Sequence, residues 1–182
     1  MKKLFVIFIG LVSLDQAIKI LISNFFINAN IVLLPNILFF RPIQNTNLNW
    51  IASILEYKTP LLLMLVIQIF VLTIVILIYR YCSFLWVQGK KFLYGMLLFY
   101  ISGLTCSFID VVFWGGSLDF LGIFDWFTFD LKDVYLDIGT AFLLSYFISY
   151  DIKVYYKMSK AERKQTSIWI WIKKGMPSVP IE

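Results

Sequence analysis

The chain has 182 residues, enough for one compact unit, with 60% hydrophobic and 15% charged, against about 45–50% and about 25% in ordinary soluble domains. A fold this small has too little interior to hide so much apolar surface, which excludes soluble globular and disordered chains and turns most of the surface to lipid. The absence of histidine excludes Ser-His-Asp triads, Cys-His dyads and histidine-bearing metal sites, and net charge +5 on so apolar a chain fits basic flanks beside anionic lipid, with no call for nucleic acid.

In chain order, Lys2 and Lys3 precede LFVIFIGLV, the outline of a secretory leader. Asp15 and Lys19 interrupt that run and no small-x-small cleavage site follows, so an uncleaved first span is expected over about 4–25. The next stretch holds IVLL and ILFF between Asn, Pro35, Pro42 and Asn45-Thr46-Asn47. It predicts a small strand-and-turn cradle on the outer surface, over about 26–58. A second span is expected over 60–79, with Thr59 as N-cap and Pro60 at the first helical position. A third follows over 92–113, then a short outer loop over 114–132, then a fourth span over 133–150. The expected fold is therefore an all-α membrane protein of four transmembrane helices with an outer β-cradle. Residues 1–155 form the membrane unit and 156–182 a basic cytoplasmic or interfacial tail. Ile168-Trp169-Ile170-Trp171-Ile172 in that tail reads either as a surface anchor or as part of a loosely ordered end.

Lys and Arg set the orientation. They gather before the first span, between the second and third (Arg80, Lys90, Lys91) and after the fourth (Lys153, Lys157, Lys160, Arg163, Lys164, Lys173, Lys174). The other two connections carry only Arg41, Lys58 and Lys132, so both termini are expected in the cytoplasm.

Ionisable groups within spans are costly and point to function. Asp15 stands about 18 Å and Lys19 about 24 Å along the first helix from Lys3, and Asp110 about 28 Å from Lys91 on the third. Asp133 opens the fourth span with Asp137 one turn deeper, and Asp119 sits in the short loop, so all gather at the outer membrane–water boundary. Each has a local reading too. Asp15 and Lys19 at i, i+4 can be a structural ion pair, and Asp130 with Asp133 a helix cap. Asp125 and Glu56 read as solvated loop residues, and Ser13, Ser102, Thr105 and Ser107 as helix-packing or back-bonding hydroxyls. Two aspartates in one partly desolvated site cannot both ionise easily. The ionised one can take a proton from an attacking water while the protonated one polarises a peptide carbonyl, with no metal or other cofactor.

Five short motifs, in order from Leu14 to Gly139, resemble those of the bacterial lipoprotein signal peptidases (signal peptidase II). Asp15-Gln16-Ala17-Ile18-Lys19 is similar to D-Q-x-x-K, Asn45-Thr46 to the Asn-Thr of the first outer segment, and Ser102 to Asp110 to G-G-A-x-G-N-x-x-D. Ser117-Leu118-Asp119-Phe120 is similar to V-V-D-F, and Phe129 to Asp133 with Gly139 to F-N-x-A-D and its following glycine. The resemblance implies a catalytic dyad of Asp119 and Asp133, with Asp15, Gln16, Lys19, Asn45, Ser107, Asp110 and Asp130 supporting it or binding substrate. It further implies a diacylglyceryl-modified prolipoprotein as partner, cut before its lipidated cysteine. The setting implied is the bacterial cytoplasmic membrane, with the site at the outer leaflet and the enzyme a monomer. The departures are Asn47-Leu48-Asn49-Trp50 after Asn-Thr, Ser107 for Asn, Val111 for Arg, Asp130 for Asn and Lys132 for Ala. Losing the arginine leaves Asp110 without an obvious partner, while Asp130 and Lys132 bias the dyad in opposite directions.

Three other classes compete: a divergent relative that keeps the scaffold without the activity, a membrane assembly subunit, and a small transporter relaying protons through Asp15, Lys19, Asp110 and Asp137. A through-path is disfavoured, because the second span is uncharged and the third carries no charge between Lys91 and Asp110.

Overall fold

In lipid, every backbone N–H and C=O must be satisfied within its own segment or a closed sheet, so long apolar runs become helices. The computed structural model describes residues 2–46, 60–124 and 126–177. Helices α1 (Lys2–Phe25), α2 (Leu61–Leu85) and α3 (Lys90–Ile109, continued by a π-helical turn, Asp110–Trp114) are long and apolar enough to cross a membrane. Helix α4 (Leu131–Lys153) matches them in length but carries Lys132, Asp133, Asp137 and Asp151. Pro60 is not the first helical residue as expected. At φ −60° and ψ 141° it flanks α2 in an extended conformation, its carbonyl accepting the Met64 N–H at 3.1 Å. The expected roles of Thr59, Glu56, Asp125 and the Asn47–Trp50 segment lie outside the described residues.

An antiparallel sheet of order β1-β2-β3-β4 sits where α1 and α3 finish and α4 begins. Its strands are β1 (Ile31–Leu34), β2 (Leu38–Asn45), β3 (Ser117–Ile123) and β4 (Phe127–Phe129). Half of it comes from the connection expected to be a loop. Asp119 and Gly122 are poor strand formers, so β3 is specified by pairing with β2 and not by its own propensity. Between Phe40↔Leu121 and Ile43↔Asp119 the register slips by one residue, a bulge at Arg41-Pro42, since proline offers no N–H to the ladder. The bulge sets Asn45 opposite Ser117.

Ile22 of α1 packs with Leu118 and Phe120 beneath the sheet, while Cys82, Leu93, Tyr146 and Tyr150 form a core at the opposite end. There the Tyr146 hydroxyl donates to the Cys82 carbonyl at 2.6 Å. Both cysteines are buried and unbonded. Tyr135 of α4 ties to α1 by donating to the Leu11 carbonyl at 3.0 Å. The tail folds into α5 (Lys160–Gln165) and α6 (Ile168–Lys173), with Ser159 and Glu162 forming a capping box at the start of α5. Trp171 is buried with its ring 5.2 Å from Tyr81 of α2, whose hydroxyl donates to the Thr166 carbonyl at 2.9 Å. Trp169 stays 74% exposed.

Candidate active site

Side chains alternate along a strand, so Ser117 and Asp119 share one face of β3 while Leu118 and Phe120 take the other, against α1. Gly115 and Gly116 make the approach to this strand possible. Gly115 has φ +67°, and a Cβ on Gly116 would lie 2.5 Å from the Asn45 carbonyl oxygen. On α1, the i, i+4 spacing brings Lys19 Nζ to within 3.0 Å of Asp15 Oδ2. The same ammonium lies 2.6 Å from Asp110 Oδ2, which therefore has the partner its sequence neighbours could not supply, and 2.7 Å from Asp130 Oδ2. Gln16 donates to Asp15 at 2.9 Å and is held in turn by the Trp114 indole N–H at 3.0 Å.

Asp130 is the N-cap of α4. It forms a reciprocal capping box, the Asp133 N–H reaching Asp130 Oδ1 at 3.4 Å and the Asp130 N–H reaching Asp133 Oδ2 at 3.0 Å. This is the local cap expected from the sequence, and it coexists with a tertiary role. Lys132 Nζ lies 2.6 Å from Asp130 Oδ2, 3.4 Å from Asp110 and 3.7 Å from Asp119, and donates to Ser117 Oγ in a short hydrogen bond. The Ser117 hydroxyl donates to Asp119 Oδ1 at 2.6 Å, and the Asn45 amide to Asp119 Oδ2 at 3.3 Å.

Carboxylate oxygens of Asp119, Asp130 and Asp133 all fall within 4.8 Å of one another. Such a trio offers a hard cation three oxygens. In this protein the ammonium groups of Lys19 and Lys132 already supply the counter-charge at Asp130, and an ion would have to displace them. Burial pushes the Asp119 carboxyl above its ordinary value, against the opposing pull of Lys132 and the Ser117 hydrogen bond. Asp130 goes the other way. Burial disfavours its charge, but Lys132 and Lys19 together outweigh that and hold its carboxyl below the usual range.

A cleft of about 550 Å³ opens on this cluster, lined by Asn45, Met64, Ser107, Ser117, Asp119, Lys132, Asp133 and Asp137 among others. Asp130 is not in its wall and is fully buried. The structure thus gathers Asp15, Gln16, Lys19, Asn45, Asp110, Asp119, Asp130 and Asp133 into one network. Ser107 stands at the cleft wall, where it accepts a hydrogen bond from Gln68 of α2 at 2.8 Å and does not back-bond to its own helix. Ser102 and Thr105 do back-bond, to Leu98 and Ile101. Sequence reasoning missed Ser117 and Trp114 and saw Lys132 only as a bias on its neighbour. The one available signal for Ser117 was its i−2 spacing from Asp119, which puts both on one strand face.

The model of the family Signal peptidase (SPase) II matches residues 7–149. Two solved structures, each described as a bacterial membrane enzyme determined by the in meso method, at 1.9 and 2.3 Å, share the fold. The first has TM-score 0.61 at 19% identity, covering 79% of this chain and 91% of the other; the second 0.57 at 21%, covering 88% and 94%. No curated protein matches the chain.

Proposed function

The chain belongs to the signal peptidase II family of membrane aspartic peptidases, which process lipoprotein signal peptides, and from that premise we propose that it is itself a working endopeptidase. Its substrate is a diacylglyceryl-modified prolipoprotein, cut just before the lipidated cysteine. The observation that carries this reading is the sorting of three close carboxylates. Asp130 is buried and bound by both lysines, whereas Asp119 and Asp133 face the cleft with oxygens close enough to share one water.

One member of that pair is ionised and takes a proton from the water as its oxygen attacks the scissile carbonyl. The other, protonated, donates to the carbonyl oxygen, and the pair returns a proton to the leaving amine as the tetrahedral intermediate collapses. Asn45 of β2 and Ser107 of α3, both in the cleft wall, bind substrate, while Asp15, Gln16, Lys19 and Asp110 hold the cluster in place. In this reading α4 is the fourth span, the sheet lies on the outer surface of a bacterial cytoplasmic membrane, and both termini are cytoplasmic. Residues 1–155 are then the peptidase unit, a monomer, and 156–182 an interfacial tail whose exposed Ile168, Trp169 and Ile172 meet lipid beside Lys173 and Lys174. Lys and Arg distribution supports that orientation.

A second reading, a relative that keeps the scaffold and has altered or lost the activity, is favoured by the ammonium of Lys132 lying 3.7 Å from Asp119. Reconstitution in liposomes with a diacylglyceryl precursor, and with the same precursor bearing Ala for its cysteine, separates the two. Release of signal peptide from the lipidated precursor alone is expected; no release from either supports the inactive scaffold.

A further inference from the structure

Lys132 and Ser117 occupy the cleft wall where the family motifs carry apolar residues, and their hydrogen bonds run in one direction only. A lysine ammonium has donors and no acceptor, so it can only donate to Ser117 Oγ. The hydroxyl has one proton to give, and three carboxylates compete for it: Asp119 Oδ1 at 2.6 Å, Asp130 Oδ2 at 3.1 Å and Asp110 Oδ2 at 3.5 Å. The shortest contact takes it. Asp119 thus receives a donor on each oxygen, Ser117 on one and Asn45 on the other, and both hydrogen bonds favour its ionised form. Asp133 receives the Asp130 amide on Oδ2.

We propose that Lys132 and Ser117 are positioning residues that fix the proton arrangement of the pair, holding Asp119 as the ionised member and leaving the proton on Asp133. The inference rests on the peptidase reading for its consequence, since it makes Asp119 the group that accepts the proton of the attacking water. The charged and polar groups facing Asp119 are consistent with it. Lys132 and Asp133 come from α4, Asp130 from the strand–helix link, Asp110 from behind Lys132, and Asn45 from β2. The same geometry rules out a Ser117–Lys132 nucleophile–base pair. Lys132 lies within 3.7 Å of Asp130, Asp110 and Asp119, which keep it charged and leave no lone pair to activate the hydroxyl.

The test uses the full chain reconstituted in liposomes, as wild type, Ser117→Ala, Ser117→Thr and Lys132→Met. Infrared titration of the carboxyl band, with the matching Asp119→Asn protein subtracted in each background, reads Asp119 without substrate. We expect its midpoint to rise by about one pH unit in Ser117→Ala and Lys132→Met, and to stay near wild type in Ser117→Thr. The acid limb of kcat/KM on a lipidated precursor moves up by the same amount, with kcat falling more than KM changes. An unmoved midpoint in Ser117→Ala, or a threonine variant that behaves like the alanine one, overturns the inference. Should Lys132→Met fail to fold, the serine pair decides alone. A midpoint that rises in Ser117→Ala while the wild-type protein cleaves no precursor leaves the proton arrangement standing and removes the peptidase reading. Cleavage without any shift does the reverse.

Discussion

Lys19 is fully buried and touches Asp15, Asp110 and Asp130 at 3.0 Å or less. Removing one partner from a buried ionic network leaves the others uncompensated, which costs about 3–5 kcal/mol. Lys19→Met is therefore expected to lower unfolding stability by that order, measured by denaturant titration in detergent micelles, although Lys19 does not line the cleft. Asp130 sets the sign of a pH effect. Its carboxyl titrates lower in the folded chain than its ordinary value of 3.8, so its contribution is present above that value and is lost as pH falls through the depressed one. Asp130→Asn should accordingly destabilise the protein at neutral pH, with a deficit that shrinks as pH falls below 3.8; a deficit independent of pH would contradict the pairing. At this scale the sequence was legible where spacing alone makes the contact, as for Asp15 with Lys19 or Asp130 with Asp133. It was illegible where the partner lies on another element. Asp110 looked stranded because its salvation, Lys19, is 91 residues away.

Among the elements, α1, α3 and α4 follow from apolar length and were readable to within a few residues, whereas α2 runs on to Leu85, past its expected end at 79, and the tail helices α5 and α6 were not foreseen. Strand β3 was not readable, because Asp119 and Gly122 argue against a strand and only the edge offered by β2 overrides them; β4, three residues long, then pairs on the edge that β3 supplies. Pro42, visible in the sequence as a breaker, acts as the bulge that sets the register bringing Asn45 to Asp119. The contact between α3 and α4 depends on Gly139, where an added Cβ would meet the Tyr100 ring at 2.9 Å. Tyr100 also bonds Thr140 across the same interface at 2.8 Å, so the ring has little freedom to yield. Gly139→Ala is expected to cost about 1–3 kcal/mol by overpacking, and to slow processing by displacing Asp133 relative to Asp119. Thermal unfolding and precursor cleavage should fall together; an unchanged melting temperature would show that the helices part without strain.

Among the described residues, the buried charges gather at the sheet end of the bundle, while Cys82, Leu93, Tyr146 and Tyr150 form an apolar core at the other. That division separates the site from the tail, which docks on the far end of α2 through Trp171, Thr166 and Met176. Lys164 and Lys173 are already exposed but lie in short docked helices, so Trp171→Ala should free the tail and speed tryptic cutting after them in reconstituted protein while leaving precursor cleavage at the wild-type rate. A loss of cleavage would tie the tail to the site and contradict the separation.

The central claim is that Asp119 and Asp133 act together on one water. It is tested most directly by the rate at which Asp119→Asn and Asp133→Asn, each reconstituted separately, release the signal peptide from a lipidated precursor. Each substitution is predicted to reduce that rate by about a hundredfold or more. Cleavage at the wild-type rate by either variant would contradict the account.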